Sequence, residues 1–227
     1  MDKKMYIDAL TKHAADNGRP YESALADFLD YLLQLHDVKA FNGPADSYAV
    51  YMRKMYDRDG QFFILATVWL NDVAEAMERG HWLDVFGILY EELYLMRGKA
   101  SHTGQFFTPQ SVSDLMADVI DTAKNQGTVN DCAAGSGRLL LAHYMTHTKT
   151  DREAGRAFTY VAQDSDPTAC KMCALNMMAH GMYGRVVCQD TLAMSAPAAV
   201  YHLNEVRYPI PSPYYSVRQE LPEGNKE

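Results

Sequence analysis

The strongest constraint in this chain is a unit that recurs between residues 127 and 190: an apolar run, a turn or acidic junction, and an apolar helical run. "GTVNDCAAGSGRLLLAHYM" reads as a strand, a turn of Gly, Ala and Ser, and a helix. "AFTYVAQDSDP" is a second strand running into the helix "PTACKMCALNMMAHGM", and "GRVVCQD" is a third strand. Strand, helix, strand, helix, strand with short connections implies parallel strands and right-handed crossovers, because a parallel pair needs such a crossover where an antiparallel pair needs only a tight turn. The pattern therefore predicts an open parallel sheet with helical crossovers. It places Asp131, Asp164 and Asp190 at the carboxyl ends of three successive strands, which is the rim where such sheets bind ligands.

The first hundred residues read as helices. From Pro20 to Asp37 the apolar positions Leu25, Phe28, Leu29, Leu32 and Leu33 recur at three- and four-residue spacing. "SYAVYMRKMYDRDG", "QFFILATVWLNDVAEAMERG" and "HWLDVFGILYEELYLMRGK" give three more helices, ended by Gly60, Gly80 and Gly98. Their aromatic and Met stripes suit core packing. A further helix, "QSVSDLMADVIDTAK", carries apolar Val112, Leu115, Met116, Val119 and Ile120. Beyond Asp190 the chain holds five prolines and little periodicity, which predicts a loop or tail across the surface. The expected organisation is a helical domain at 1–100 and a partial Rossmann-like domain at 101–227 with a Pro-rich C-terminal tail.

Composition narrows the function. The net charge of -8 is spread over both halves, and no basic arm exists to neutralise phosphates, which speaks against a stand-alone DNA binder. The longest apolar stretch, Phe62 to Leu70, stops at Asn71 and Asp72, too short to span a membrane. The first twenty residues lack a secretory pattern, so the chain reads as cytoplasmic. Its four cysteines, at 132, 170, 173 and 188, sit in apolar or helical patterns and do not suggest a disulfide framework.

The densest chemical signal is "DCAAGSG", Asp131 to Gly137. Glycines let a backbone turn tightly and approach a ligand, and the following helix offers unpaired N–H groups. The spacing is not G-x-G-x-x-G, and no Lys-Ser or Lys-Thr follows Gly137, so a P-loop is excluded. An acid at the end of the second strand, Asp164, suits ribose hydroxyls, and Asp190 can accept from an adenine amine. Each Asp alone is explained by a cap or turn, as Asp166 before Pro167 is; three in register are less easily dismissed. Cys170 and Cys173 form C-x-x-C, with His180 and Cys188 close by, but they fall among Met172, Leu175 and Met178 as thiols on a buried helix face do. His143 and His147 lack the Glu of H-E-x-x-H.

Four ordered motifs between about 84 and 192 resemble the adenine-specific DNA methyltransferases that form the modification subunits of type I restriction-modification systems. "DVFGILYEELYLMRGKASHTGQFFTP" resembles that family's helix with spaced Asp84, Gly87, Tyr90 and Glu91, followed by its G-Q-F-F/Y-T-P signature. "NDCAAGSGRLLL" is similar to D-P-A-C-G-S-G-G-F-L. "AQDSDPTACKMCALNMMAHGM" is similar to the stretch that opens G-Q-E and closes on H-G, and "CQDTL" stands at its G-D-S-L. The helical first part is similar in character to the family's amino-terminal helical domain.

The resemblance implies a Rossmann-like S-adenosylmethionine-dependent methyltransferase domain, incomplete here, and S-adenosylmethionine as cofactor. Carried over by position, Phe107, Thr108 and Pro109 would close over the methionine part. Asp131, Ala133, Gly135, Ser136 and Gly137 would shape the binding turn, Asp164 would hold the ribose and Asp190 the adenine. Small residues and acids suit a sulfonium and an amino group, which carry no phosphate. Cys132, Ala134 and Arg138 depart from the family's Pro, Cys and Gly. The implied activity is methyl transfer to the exocyclic amine of adenine in DNA. The family's Asn-Pro-Pro-Phe or Asn-Pro-Pro-Tyr is missing; the closest string is "PSPY", Pro211 to Tyr214, with Tyr214 the weak candidate for stacking on a flipped base. The expectation is therefore a chain inactive alone, working on DNA with partner subunits and a partner chain that completes the domain. The alternative is an inactive relative that binds S-adenosylmethionine, DNA or a partner.

Overall fold

The computed structural model describes residues 1–37, 60–95, 107–120, 126–148, 157–205 and 216–222. Residues 47–59 of the helix expected to end at Gly60, Gly104 to Phe106 of the GQFFTP motif, and "PSPY" with Tyr214 all lie outside the described residues.

Helix α1, Lys3–Asp16, starts where Asp2 accepts from the N–H groups of Lys4 and Met5, and it buries Tyr6, Leu10 and Ala14, one face at a spacing of four. The periodicity of α2, Tyr21–Leu35, buries Leu25, Phe28, Leu29 and Leu32 as expected. Helix α3, Gln61–Glu78, buries Phe62, Leu65, Ala66, Trp69 and Val73, and Gly80 follows it at φ +77. Helix α4, Val85–Leu95, adds Phe86 and Leu89. The rings interlock: Phe28 meets Phe62 at 5.2 Å and Trp69 meets Phe86 at 5.1 Å between centroids.

The second part builds a mixed sheet from β1 Gly127–Asp131, β2 Phe158–Asp164, β3 Gly184–Cys188, β4 Ala199–Leu203 and β5 Val217–Glu220, in that spatial order among the described residues. β1, β2 and β3 are parallel, as the strand–helix alternation predicts, with Asp131 opposite Ala162 and Asp164 opposite Cys188. β3–β4 and β4–β5 are antiparallel. The expectation of a featureless loop or tail beyond Asp190 is thus corrected for β4 and β5. Ala199, Tyr201 and Leu203 alternate inward, a period-2 signal obscured by the surrounding prolines, while the short β5, Val-Arg-Gln-Glu, is mostly polar and is held by its pairing with β4.

Helix α5, Gln110–Val119, leans on α6, Arg138–Thr148, through its small residues: Ser113 and Ala117 are buried. Its apolar stripe faces outward instead, with Leu115 61% and Val119 72% exposed. Helix α7, Pro167–Ala179, is capped by Asp166 and buries every residue from Ala169 to Ala179 except Lys171, which reaches Asp30 of α2 at 2.5 Å. It touches α2 and α4 on one side and β2, β3 and β4 on the other. A helix this apolar on nearly every side belongs inside a core, and this one lies within a single hydrophobic cluster running from Tyr6 to Val217.

Candidate functional site

The glycine turn sits where parallel β1 ends and α6 begins. Asp131, the last residue of β1, turns its Oδ1 onto the N–H of Ala133 at 3.1 Å. Ala134 N–H donates to the carbonyl of Gln163 at 2.9 Å and Gly135 N–H to Asp164 Oδ2 at 2.9 Å, so the turn is stitched across the end of β2. Gln189 N–H reaches the carbonyl of Asp164 at 2.8 Å and Thr191 Oγ1 donates to the carbonyl of Cys132 at 3.1 Å, which brings the end of β3 to the same rim. Gly135 and Gly137 have φ of +55 and +93, which only glycine adopts without strain. At Gly137 a Cβ would also stand 2.9 Å from Cys173 Sγ of α7.

A small hollow opens to solvent beside this turn, lined by Phe107, Thr108, Asp131, Ala133, Ala134, Gly135, Ser136, Arg138 and Leu139. Six of the ten residues expected at the site line it. Of the others, Gly137 backs the turn, Pro109 caps α5, Asp164 braces Gly135 and Asp166 through its two oxygens, and exposed Asp190 caps the turn at Leu192 and Ala193. The Ser136 hydroxyl donates to Asp84 Oδ2 at 2.5 Å. Asp131 Oδ2 is buried and has no hydrogen-bond partner among the described residues. Burial first, and then the charge of Asp164, push the Asp131 carboxyl above its ordinary range against the pull of the Ala133 N–H.

Sequence reasoning did not assign a site role to Asp84, Glu91, Leu139 or Asn176, and met Arg138 only as a departure. The spaced Asp84, Gly87, Tyr90 and Glu91 were the available signal. The structure gathers these groups behind the turn: Asp84 accepts from Ser136, Arg138 and Asn176, at 2.5, 2.6 and 2.7 Å. Cys170 and Cys173 are buried in α7, and burial pushes both thiols up. Among the described residues no three His, Cys, Asp or Glu groups are placed to hold a metal ion. None of the described helices is long and apolar enough to cross a membrane.

The family model for N-6 DNA methylases matches residues 82–221, well over half of the chain. The chain belongs to the N-6 DNA methylase family. This N-6 DNA methylase family member is 34% identical over 103 residues to the type I restriction enzyme MpnII methylase subunit of Mycoplasma pneumoniae, a match covering 44% of this chain and 18% of that protein. It is 30% identical over 112 residues to the type I restriction enzyme MjaIX methylase subunit of Methanocaldococcus jannaschii, covering 48% and 19%. The chain thus spans under a fifth of the length of these relatives. Among solved structures it resembles a type I restriction enzyme modification subunit of Vibrio vulnificus, with 26% identity, a TM-score of 0.40, and coverage of 47% of this chain and 23% of that one. It also resembles the type I restriction-modification methyltransferase subunit of Streptococcus thermophilus, with 27% identity, a TM-score of 0.36, and coverage of 50% and 24%.

Proposed function

We propose that this chain is the cofactor-binding part of an S-adenosylmethionine-dependent DNA adenine methyltransferase of the type I restriction-modification kind. The observation that carries the reading is Asp131: a buried carboxylate oxygen without a partner, on the wall of a hollow at the carboxyl end of a parallel strand. Leaving such a group unpaired costs stability unless a ligand answers it. A cationic amino group or sulfonium suits it, and a phosphate does not. Bound there, S-adenosylmethionine would supply an activated methyl group on its sulfonium.

On this reading Phe107, Thr108 and Pro109 lie along the methionine part, Asp131 holds its amino group, and Ala133, Gly135, Ser136 and Gly137 shape the turn. Asp164 keeps lone pairs beyond its two backbone bonds for ribose hydroxyls, and Asp190 takes the adenine amine. The substrate is adenine in DNA, reached with partner subunits and a chain that completes the domain, and the setting is the cytoplasm. The division into a helical domain at 1–100 and a methyltransferase domain at 101–227 belongs to the same proposal. Transfer by this chain alone is not expected, because its sequence holds no Asn-Pro-Pro-aromatic tetrapeptide. That same lack favours a second reading, a relative that binds the cofactor or a partner and no longer transfers methyl groups.

Calorimetric titration tests the first claim: S-adenosylmethionine should bind, and no heat at millimolar cofactor would overturn it. Labelled methyl transfer to adenine-containing DNA, with and without modification-system partners, separates the two readings. Label incorporated by this chain alone would refute the expectation of inactivity.

A further inference from the structure

Arg138 opens α6, at the end of a helix where the backbone dipole disfavours a cation. Its side chain is only 9% exposed, a setting in which an unpaired guanidinium is untenable. Two carboxylates from the helical part meet it. Nε donates to Asp84 Oδ2 at 2.6 Å, while Nη1 and Nη2 straddle Glu91 Oε1 and Oε2 at 3.1 and 2.9 Å. Gly87 makes room for this arrangement: a Cβ there would collide with the Asp84 carboxylate, and its N–H donates to Asp84 Oδ1 at 2.7 Å.

Fixed from that side, the guanidinium reaches two groups on the wall of the hollow. Nη1 donates to the carbonyl of Thr108 at 3.2 Å, and Cζ lies 5.2 Å from the centroid of the Phe107 ring, within cation–π range. Tyr90 meets the same ring edge-on at 5.5 Å, and the ring rests on Gly135, where a Cβ would come within 3.2 Å of it. Lysine has no equivalent, since a point charge cannot bridge a carboxylate in a fork and present a flat face to a ring at once.

We propose that Arg138 is a positioning residue: anchored on Asp84 and Glu91, it holds Phe107 and Thr108 against the glycine turn. It acts on the ligand through those two residues, and the inference rests on reading the hollow as a cofactor site.

The test has a readout that needs no cofactor. In a Phe107→Trp chain, with Trp69 and Trp82 as a buried background, acrylamide quenching reports how firmly the ring at 107 is seated. Quenching of that indole should rise about twofold or more on Arg138→Met, and Arg138→Lys should restore only part of the shielding. Should Arg138→Met unfold the chain, Glu91→Gln keeps the Asp84 pair and must still raise quenching. Titration with S-adenosylmethionine in chains that keep or replace Phe107 adds a second measure: Arg138→Met and Phe107→Leu should each weaken binding about tenfold, and the double variant no further than the worse single one. Unchanged quenching in the folded Arg138 and Glu91 variants, or losses that add, would overturn the proposal. Quenching that changes as expected in a chain that binds no cofactor leaves the role of Arg138 standing and removes the cofactor reading.

Discussion

Asn176 and Asp84 stand 92 positions apart in the chain and are joined in the fold, Asn176 Nδ2 donating to Asp84 Oδ1 at 2.7 Å. The same amide reaches the carbonyl of Ser136 at 3.0 Å, so one side chain of α7 ties the start of α4 to the glycine turn. Asn176→Leu should lower stability by about 2–4 kcal/mol in urea unfolding, because Asp84 stays buried with one donor fewer. Asn176→Asp should be worse still at neutral pH, where it sets two carboxylates side by side. A loss below the scatter of such measurements would show that this bond carries nothing.

Gly184 faces Tyr160 across the β2–β3 pair at φ +158, and a Cβ there would collide with the Tyr160 carbonyl. Relief requires the backbone of two central strands to part. Gly184→Ala should therefore cost more than about 4 kcal/mol or abolish soluble expression. Gly80→Ala, at φ +77 with no atom within 4 Å of its Cβ, should cost only about 1 kcal/mol, from backbone strain alone. Equal melting temperatures for the two variants would contradict the packing at Gly184.

Thiol chemistry offers a direct check on burial. Cys132 lies exposed in the turn, while Cys170, Cys173 and Cys188 are buried and their thiols are pushed up, chiefly by desolvation. An aromatic disulfide reagent should titrate Cys132 quickly in the native chain and all four cysteines only after denaturation. Saturating S-adenosylmethionine should slow the Cys132 reaction, since it adjoins Asp131. Fast labelling of Cys173 in the native chain would contradict the buried position of α7.

Two histidines make stability depend on pH. His143 and His180 are both pushed down to about 4, first by burial, with the neighbouring His147 adding to the effect on His143. In the unfolded chain such groups titrate near 6.5. Between those values the unfolded state binds protons that the folded state refuses, so stability falls as pH drops from 6.5 towards 4, by at most about 3 kcal/mol per histidine. Denaturant unfolding at pH 7.5 and pH 4.5 should show the loss, and His143→Gln should reduce it.

For Asp131 the sign is opposite. Its folded carboxyl lies above the ordinary range, so its share of stability is present at low pH and fades as pH rises through that raised value. Asp131→Asn should thus leave neutral-pH stability unchanged or slightly higher, with the Ala133 N–H still satisfied, while weakening S-adenosylmethionine binding by about tenfold or more. Unaltered affinity would remove Asp131 from the site.

How much of this was legible depends on distance along the chain. The strands at 127–131, 158–164 and 184–188 announce themselves by local pattern, as do the acids that end or follow them. Periodicity found the helix at Gln110–Val119 but not which face it buries, because Ser113 and Ala117 pack through their smallness while Leu115 stays in solvent. Strand β5 has four residues and no alternation; only its pairing with β4 makes it a strand. Arg138 could be seen to break a pattern, yet the carboxylates that explain it lie 47 and 54 positions away.

Helix α7 is a shared wall between the two parts of the molecule. Cutting the polypeptide near residue 100 would strip one side of a greasy cylinder and leave it naked to water, so the pieces should be sticky when made apart and tidy when made together. For anyone trimming this protein for study, the amino-terminal helices are not an optional accessory but the lid of the same box.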